Sequence, residues 1–193
     1  PLLQKYGDKS YDRQNGARFP DALAPNYRIS ELQAAVAVVQ MARIEEMTVN
    51  RVAAARLLSE LLAGIPGIAP QQFDRADRST GWFYLFRIDP AVLGCDIHEF
   101  GARLEAEGLE NNPGYIGSPL YKYPVFQEHA FFAGRWPIRE FGLTAMDYRE
   151  VCCAEAEAIL GTCIQLHLSE VTSEAWVREA AGVIKNVANN RVR

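Results

Sequence analysis

The sequence lacks a long apolar run, a secretory leader and an excess of positive charge. No run of about 18 apolar residues occurs, so we expect no membrane span. The opening "PLLQKYGDKSYDRQNG" has neither the apolar core nor the cleavage site of a signal peptide. A net charge of -4 and a pI near 5.5 argue against nucleic acid as the main partner. We therefore expect a cytoplasmic globular protein that binds neither membranes nor nucleic acid.

Cysteine and histidine are scarce and are not arranged as metal ligands. The cysteines form no C-x-x-C pair, adjacent cysteines rarely bridge each other, and the histidines show no ligand spacing. These residues are Cys95, Cys152, Cys153, Cys163, His98, His129 and His167. The sequence thus predicts no metal site and no disulfide scaffold. We expect the cysteines to be reduced thiols within the core.

The motifs of self-contained active sites are also missing. The chain has no G-x-S-x-G elbow, no P-loop and no G-x-G-x-x-G turn. The carboxylate pairs Glu45/Glu46 and Glu155/Glu157 lie on predicted helices, where a solvated face explains them better than acid–base chemistry. The sequence therefore assigns no catalytic residue to this chain.

What the sequence does contain is a long helix between two different regions. Residues 1–29 are rich in turn formers and predict an arm or loop, and residues 30–64 predict one helix. Ser30 and Gln33 form an S-x-x-Q capping box, and "AGIPG" ends the helix. At about 1.5 Å per residue the helix is roughly 50 Å long, so we expect it to bridge two domains. The chain opens on Pro1 in polar sequence, which we interpret as a fragment or processed piece.

Residues 65–193 alternate between strand and helix patterns. An irregular stretch is predicted for 109–124 because it is dense in turn residues. The predicted elements are a strand at 81–89, a helix capped by Asp96 and Glu99 and ended by Gly108, a helix at 148–163, a strand at 163–168 and a helix at 172–190. Together they predict an α+β fold in which the long helix precedes a small antiparallel sheet flanked by helices.

One stretch points to a family. "APNYRISELQAAVAVVQMARIEEM" resembles the segment G-x-N-Y-R-x-[ST]-E-[LI]-Q-A-A of the DegT/DnrJ/StrS-type aminotransferases. The aromatic strand "WFYLFRID", the helix from Cys152 to Leu160 and the closing "LHLSEVTSEAWVREAAGVIKNV" extend the likeness over almost the whole chain. The resemblance implies the C-terminal half of a fold-type-I enzyme that uses pyridoxal 5'-phosphate (PLP) and acts on keto sugars.

The sequence departs from the family pattern in two places. Ala24 stands where the family usually has glycine. None of the lysines (Lys5, Lys9, Lys122 and Lys185) lies in the sequence context of the family's cofactor-binding lysine, which comes earlier in the chain. We therefore expect that lysine and the cofactor domain to lie outside this chain, and this chain to be inactive alone.

The resemblance implies roles for two residues at the entry to the long helix. Asn26 would donate its amide to the PLP phosphate of a neighbouring subunit; alternatively it forms a turn after Pro25. Arg28 would pair with a phosphate or carboxylate of the substrate; alternatively it pairs with Glu31.

Three tyrosines complete the candidate site. Tyr115 and Tyr121 would line the substrate entrance, and Tyr121 stands where many relatives have histidine. Tyr27, beside Arg28, is a further candidate for substrate binding. The alternative for each tyrosine is ordinary packing, which is the usual role of aromatic residues.

The implied activity is transfer of an amino group from an amino acid, Glu or Gln, to a keto sugar or nucleotide-linked sugar, within a homodimer. A second possibility is a sugar dehydratase of the same family, in which histidine replaces the lysine. A third is a non-enzymatic interaction module that keeps the fold. The sequence of this chain does not separate the three.

Overall fold

The computed structural model describes residues 11–12, 16–18, 25, 27–73 and 79–190. It divides into two compact units, Pro1–Glu46 and Met47–Arg193. The first unit contains a short hairpin in which β1 (Tyr11–Asp12) pairs antiparallel with β2 (Ala17–Arg18). The sequence predicted only a loop here, because two paired residues per strand are too few to show alternation.

The long helix α1 spans Glu31–Leu62 and confirms the predicted helix. The Ser30 amide donates to Gln33 Oε1 over 3.0 Å, and the Gln33 amide donates to Ser30 Oγ over 3.3 Å. This reciprocal pair is the predicted capping box. Beyond the helix, Gly64 adopts φ +78°, a left-handed conformation that favours glycine.

Burial along α1 is confined to its C-terminal part. Leu58 and Leu62 are fully buried, and Ala54 and Ala55 are buried beside them. Earlier apolar residues of the helix are exposed, among them Leu32, Val36, Val38, Val39, Met41, Ile44 and Val49. The apolar spacing of the sequence therefore corresponds to a buried face over only the last third of the helix.

The sheet of the second unit has four strands, which are β3 (Ile68–Ala69), β4 (Phe83–Ile88), β5 (Asn112–Pro113) and β6 (Cys163–His167). They lie in the order β3-β4-β6-β5, and every neighbouring pair is antiparallel. Alternate residues of the two central strands are buried, including Tyr84, Phe86 and Leu166. The α+β prediction and both predicted strands are confirmed.

Among its described residues, the second unit has six α-helices besides the end of α1, and they lie between or after the strands along the chain. They are α2 (Pro90–Leu93), α3 (Ile97–Ala106), α4 (Pro124–Gln127), α5 (Pro137–Glu140), α6 (Ala154–Leu160) and α7 (Glu174–Asn189). Asp96 caps α3 by accepting from the amides of His98 and Glu99, while the Glu99 carboxylate pairs with Arg103. The core joins α1, α3 and α7 to the buried face of the sheet.

The predicted helix at 148–163 is too long. Residues Tyr148–Glu150 form a single 3₁₀ turn, and the α-helix begins only at Ala154. The Asp147 carboxylate accepts from the Arg149 amide, which starts the turn. The Cys153 amide then donates to the Tyr121 hydroxyl over 2.9 Å. Because that donor is used outside the helix, a continuous helix cannot form through Cys153.

The prediction of core thiols is right for two cysteines and wrong for the others. Cys95 and Cys163 are buried, whereas Cys152 and Cys153 are exposed, and all four are free thiols. The exposed pair lies in the non-helical stretch before α6.

Candidate functional site

The candidate site of the second unit is built on residues 114–123, which we call the tyrosine loop. The loop leaves β5 and includes a 3₁₀ turn at Leu120–Lys122. The sequence predicted an irregular stretch at 109–124 but neither β5 nor this turn. Two of the predicted site residues, Tyr115 and Tyr121, are therefore carried by the same loop.

Tyr115 is held in an uncommon conformation at the edge of the sheet. Its φ of +54° is a left-handed value that costs a non-glycine residue energy. The ring lies 5.2 Å from that of Phe83 on β4, and the carbonyl accepts from Asn112 Nδ2 over 3.3 Å. The side chain is 37% exposed. Tyr115 thus combines a fixed backbone with an accessible ring and hydroxyl.

Tyr121 is tied to α6. Its hydroxyl donates to Glu157 and accepts from the Cys153 amide, and Lys122 forms an ion pair with the same carboxylate. The Lys122 ammonium, followed by the Tyr121 hydroxyl, lowers the pKa of Glu157. The same hydrogen bonds raise the pKa of Tyr121 and of Lys122. At neutral pH the group consists of a carboxylate, a neutral phenol and an ammonium.

A groove of about 730 Å³ opens beside this loop. Asn112 connects the two, because its Nδ2 also donates to Gln165 Oε1 over 2.9 Å. The groove is within the size range of small-molecule sites. Its lining includes Asn111, Asn112, Gln165, His167, Thr172 and Trp176. The sequence predicted only a strand at 163–168 here, and no motif marked the groove.

The remaining predicted site residues belong to the first unit. Tyr27 is 77% exposed and Arg28 is exposed, and both come just before α1. Asn26, the predicted ligand of the cofactor phosphate, lies outside the described residues. The roles of these three residues stay predictions.

The lysines that the structure describes do not fit the covalent role that PLP requires. A lysine that forms a Schiff base needs a neutral amine, which burial or a neighbouring cation provides. Lys122 instead has a carboxylate partner, Glu157, and its pKa is raised. Lys185 lies exposed on α7. No step of cofactor chemistry is therefore assigned to these two residues.

Within the described ranges, the side chains of histidine, cysteine, aspartate and glutamate form no cluster of three or more that could hold a metal ion. Over the same part of the chain, no helix is both long and apolar enough to cross a membrane.

Comparison with known structures identifies the fold as that of aminotransferases. DesI, crystallised in the presence of its TDP-sugar product, shares 18% identity at a TM-score of 0.65, covering 97% of this chain and 42% of DesI. The 3-amino-5-hydroxybenzoic acid (AHBA) synthase shares 24% identity at a TM-score of 0.69, and the match covers 97% of this chain and 46% of the synthase. Helicobacter pylori PseC shares 18% identity at a TM-score of 0.67, and the match covers 97% of this chain and 44% of PseC.

The family is shown by a separate comparison. The model of the DegT/DnrJ/EryC1/StrS aminotransferase family matches residues 2–184. The chain belongs to this family, which confirms the resemblance found in the sequence. It spans less than half the length of the solved structures named above.

Proposed function

We propose that this chain is the C-terminal part of a PLP-dependent aminotransferase of the cytoplasm, which moves an amino group from Glu or Gln to a keto sugar carried on a nucleotide. The match of the family model over residues 2–184 carries the proposal. The sugar substrate is supported by DesI, which was crystallised with its TDP-sugar product, and by PseC, an aminotransferase involved in the biosynthesis of pseudoaminic acid. AHBA synthase is named for a benzoic acid, so the fold alone does not define the acceptor.

The cofactor would be held mainly by residues beyond those described. When bound, PLP supplies the electron-accepting ring that transamination needs. The cofactor-binding lysine belongs, in this proposal, to sequence outside this chain. Asn26 donates its side-chain amide to the cofactor phosphate of a neighbouring subunit, which adds a hydrogen-bond donor without adding charge.

Each unit would contribute its own residues to substrate binding. Arg28 provides a planar guanidinium for a phosphate or carboxylate, with Tyr27 next to it. Tyr115 offers a ring face and a hydroxyl at a fixed position. The Tyr121 hydroxyl donates to Glu157 and accepts one hydrogen bond, so one lone pair is left for the substrate.

The complete enzyme would be a homodimer, because Asn26 acts across a subunit boundary. The exposed apolar residues of α1 between Leu32 and Val49 support self-association, since such surfaces are usually covered in the assembled protein. Sedimentation of the full-length protein should give a dimer, and a monomer at all concentrations would contradict this part.

The assignment of Asn26 is tested by replacing it in the full-length enzyme. Asn26→Ala should raise the dissociation constant for PLP about tenfold or more, because a hydrogen bond to an anion is lost. Asn186→Ala on the exposed side of α7 is the matched control and should leave the constant unchanged. Equal PLP affinity for Asn26→Ala and the unaltered enzyme would contradict the assignment.

The same titration separates a non-enzymatic module, and a glutamate-consumption assay separates a dehydratase. A non-enzymatic module would bind no PLP in any variant. A dehydratase would bind PLP but would not consume glutamate when it converts a keto sugar.

A further inference from the structure

A single carboxylate fastens the tyrosine loop to the helix α6. Glu157 accepts the Tyr121 hydroxyl with Oε1 and binds the Lys122 ammonium with Oε2. The Cys153 amide, just before the helix, donates to the Tyr121 hydroxyl. We call Glu157, Tyr121 and Lys122 the Glu157 anchor. Two consecutive loop residues are thus bound by one side chain that lies 36 and 35 positions further along the chain.

The rest of the loop is connected to this anchor by hydrogen bonds. The Tyr123 hydroxyl donates to the Ile116 carbonyl over 3.1 Å, which links the anchored end to the residue after Tyr115. Gln127 Nε2 donates to the Tyr121 carbonyl over 2.6 Å. At the other end, the Gly114 amide donates to the Cys163 carbonyl over 2.9 Å. A change at the anchored end therefore reaches the backbone around Tyr115.

Apart from the contact of the Tyr115 ring with Phe83, apolar packing does little to fix this loop. Leu120 is 59% exposed and Ile116 is 44% exposed, so neither side chain is inserted into the core. Tyr115 also has the unfavourable φ described above, which the surrounding hydrogen bonds must maintain. The conformation of the loop thus depends on polar contacts, of which the charged ones are the strongest.

We propose that Glu157 is a positioning residue, which holds the tyrosine loop through Tyr121 and Lys122 in the conformation that presents Tyr115 to the substrate. The substrate half of this inference, that the loop presents Tyr115 to the substrate, rests on the proposed function. The structural half, that Glu157 holds the loop, concerns this chain by itself. Glu157 also forms an ion pair with Lys122, so the positive charge of Lys122 is balanced by a carboxylate within the loop's own anchor.

The structural half is tested by hydrogen exchange on this chain. In Glu157→Ala, the loop amides that donate hydrogen bonds, those of Gly114, Gly117, Lys122 and Tyr123, should exchange at least about tenfold faster, because a charge-assisted pair and a hydrogen bond are lost. Glu155→Ala is the matched control, since Glu155 is exposed on the same turn of α6. Glu157→Gln keeps an acceptor for Tyr121 without charge for Lys122 and should give an intermediate rate. Exchange in Glu157→Ala equal to that in Glu155→Ala would overturn the inference.

The substrate half is tested in the full-length enzyme with a TDP-linked keto sugar. Glu157→Ala should raise the KM for this substrate about tenfold and leave the affinity for PLP unchanged, with partial recovery in Glu157→Gln. A faster-exchanging loop with an unaltered KM would overturn the substrate half. Absence of turnover in the unaltered enzyme would refute the proposed function, and the exchange measurement would still decide whether Glu157 holds the loop.

Discussion

At the residue scale, the buried hydroxyl of Tyr84 has a defined direction of hydrogen bonding. Ser59 Oγ donates to the Gln71 carbonyl over 2.7 Å and lies 2.8 Å from the Tyr84 hydroxyl. Because a serine hydroxyl has one proton, Tyr84 must be the donor to Ser59. Burial of this tyrosine raises its pKa. The pair joins α1 to β4 through polar atoms inside the core.

Removal of the Ser59 hydroxyl should lower the free energy of unfolding more than removal of the Tyr84 hydroxyl. Ser59→Ala leaves both the Tyr84 donor and the Gln71 acceptor without their Ser59 contact, so we expect the free energy of unfolding to fall by about 1–3 kcal/mol. Tyr84→Phe leaves the Ser59–Gln71 bond intact and should cost about 1 kcal/mol or less. Urea denaturation of the two variants measures the difference. A larger loss in Tyr84→Phe would contradict the direction of the bond.

The cysteines give a second test at this scale. Burial raises the pKa of Cys95 and of Cys163, so these thiols are both shielded and protonated. A thiol reagent should therefore label Cys152 and Cys153 rapidly in the native chain and the other two only after denaturation. The variant with serine at both exposed positions should show no rapid labelling. Rapid labelling of all four thiols in the native chain would contradict the buried positions.

At the scale of elements, the glycine in α3 is required by packing. A Cβ on Gly101 would lie 2.5 Å from Pro113 Cγ and 2.7 Å from Asn111 Oδ1, which belong to β5 and the residue before it. Glycine normally weakens a helix by about 1 kcal/mol relative to alanine. At Gly101 the close approach of β5 outweighs this helical preference.

Alanine substitutions at two helical glycines should therefore have opposite signs. Gly101→Ala should destabilise the protein by about 1–3 kcal/mol, because Pro113 or the helix must move. Gly182→Ala in α7 meets nothing within 4 Å and should stabilise the protein by about 0.5–1 kcal/mol. Thermal denaturation compares them. Stabilisation by both substitutions would show that β5 does not press on α3.

Local sequence signals predicted the elements whose ends are determined by neighbouring residues. The capping residues Ser30 and Asp96, the aromatic stretch of β4 and the strand pattern of β6 were sufficient for those elements. The beginning of α6 and the shape of the tyrosine loop depend on contacts between distant positions, such as Tyr121 with Glu157 and with the Cys153 amide. No local pattern encodes such contacts, and the family motif indicated Tyr121 without its partner. The groove beside β5 was missed for the same reason.

At the scale of the whole molecule, several carboxylates have lowered pKa values. The main cause is the hydrogen bond from the Glu99 amide for Asp96, and it is the cationic partner for the others: Arg135 for Glu140, Arg149 for Asp147 and Lys122 for Glu157. Each carboxylate therefore binds its proton more weakly in the folded chain than in the unfolded chain. The stability that these groups contribute is complete above the unfolded pKa and is lost as the pH falls through the folded pKa.

We accordingly expect the melting temperature to be constant near neutral pH and to fall as the pH decreases below about 4.5, the ordinary pKa of glutamate. Melting followed by circular dichroism across this range measures the effect. Added salt should reduce this fall in melting temperature, since the cationic partners Lys122, Arg135 and Arg149 are exposed. A melting temperature that rises on acidification would contradict the lowered pKa values.

The central claim is that this chain is part of an aminotransferase that uses PLP, and one spectrum of the full-length protein tests it most directly. The purified protein should carry the visible absorbance of bound PLP, which should decrease on addition of L-glutamate and return on addition of a TDP-linked keto sugar. This chain alone should show neither change. A full-length protein that binds no PLP, or whose absorbance does not respond to any amino donor, would contradict the claim.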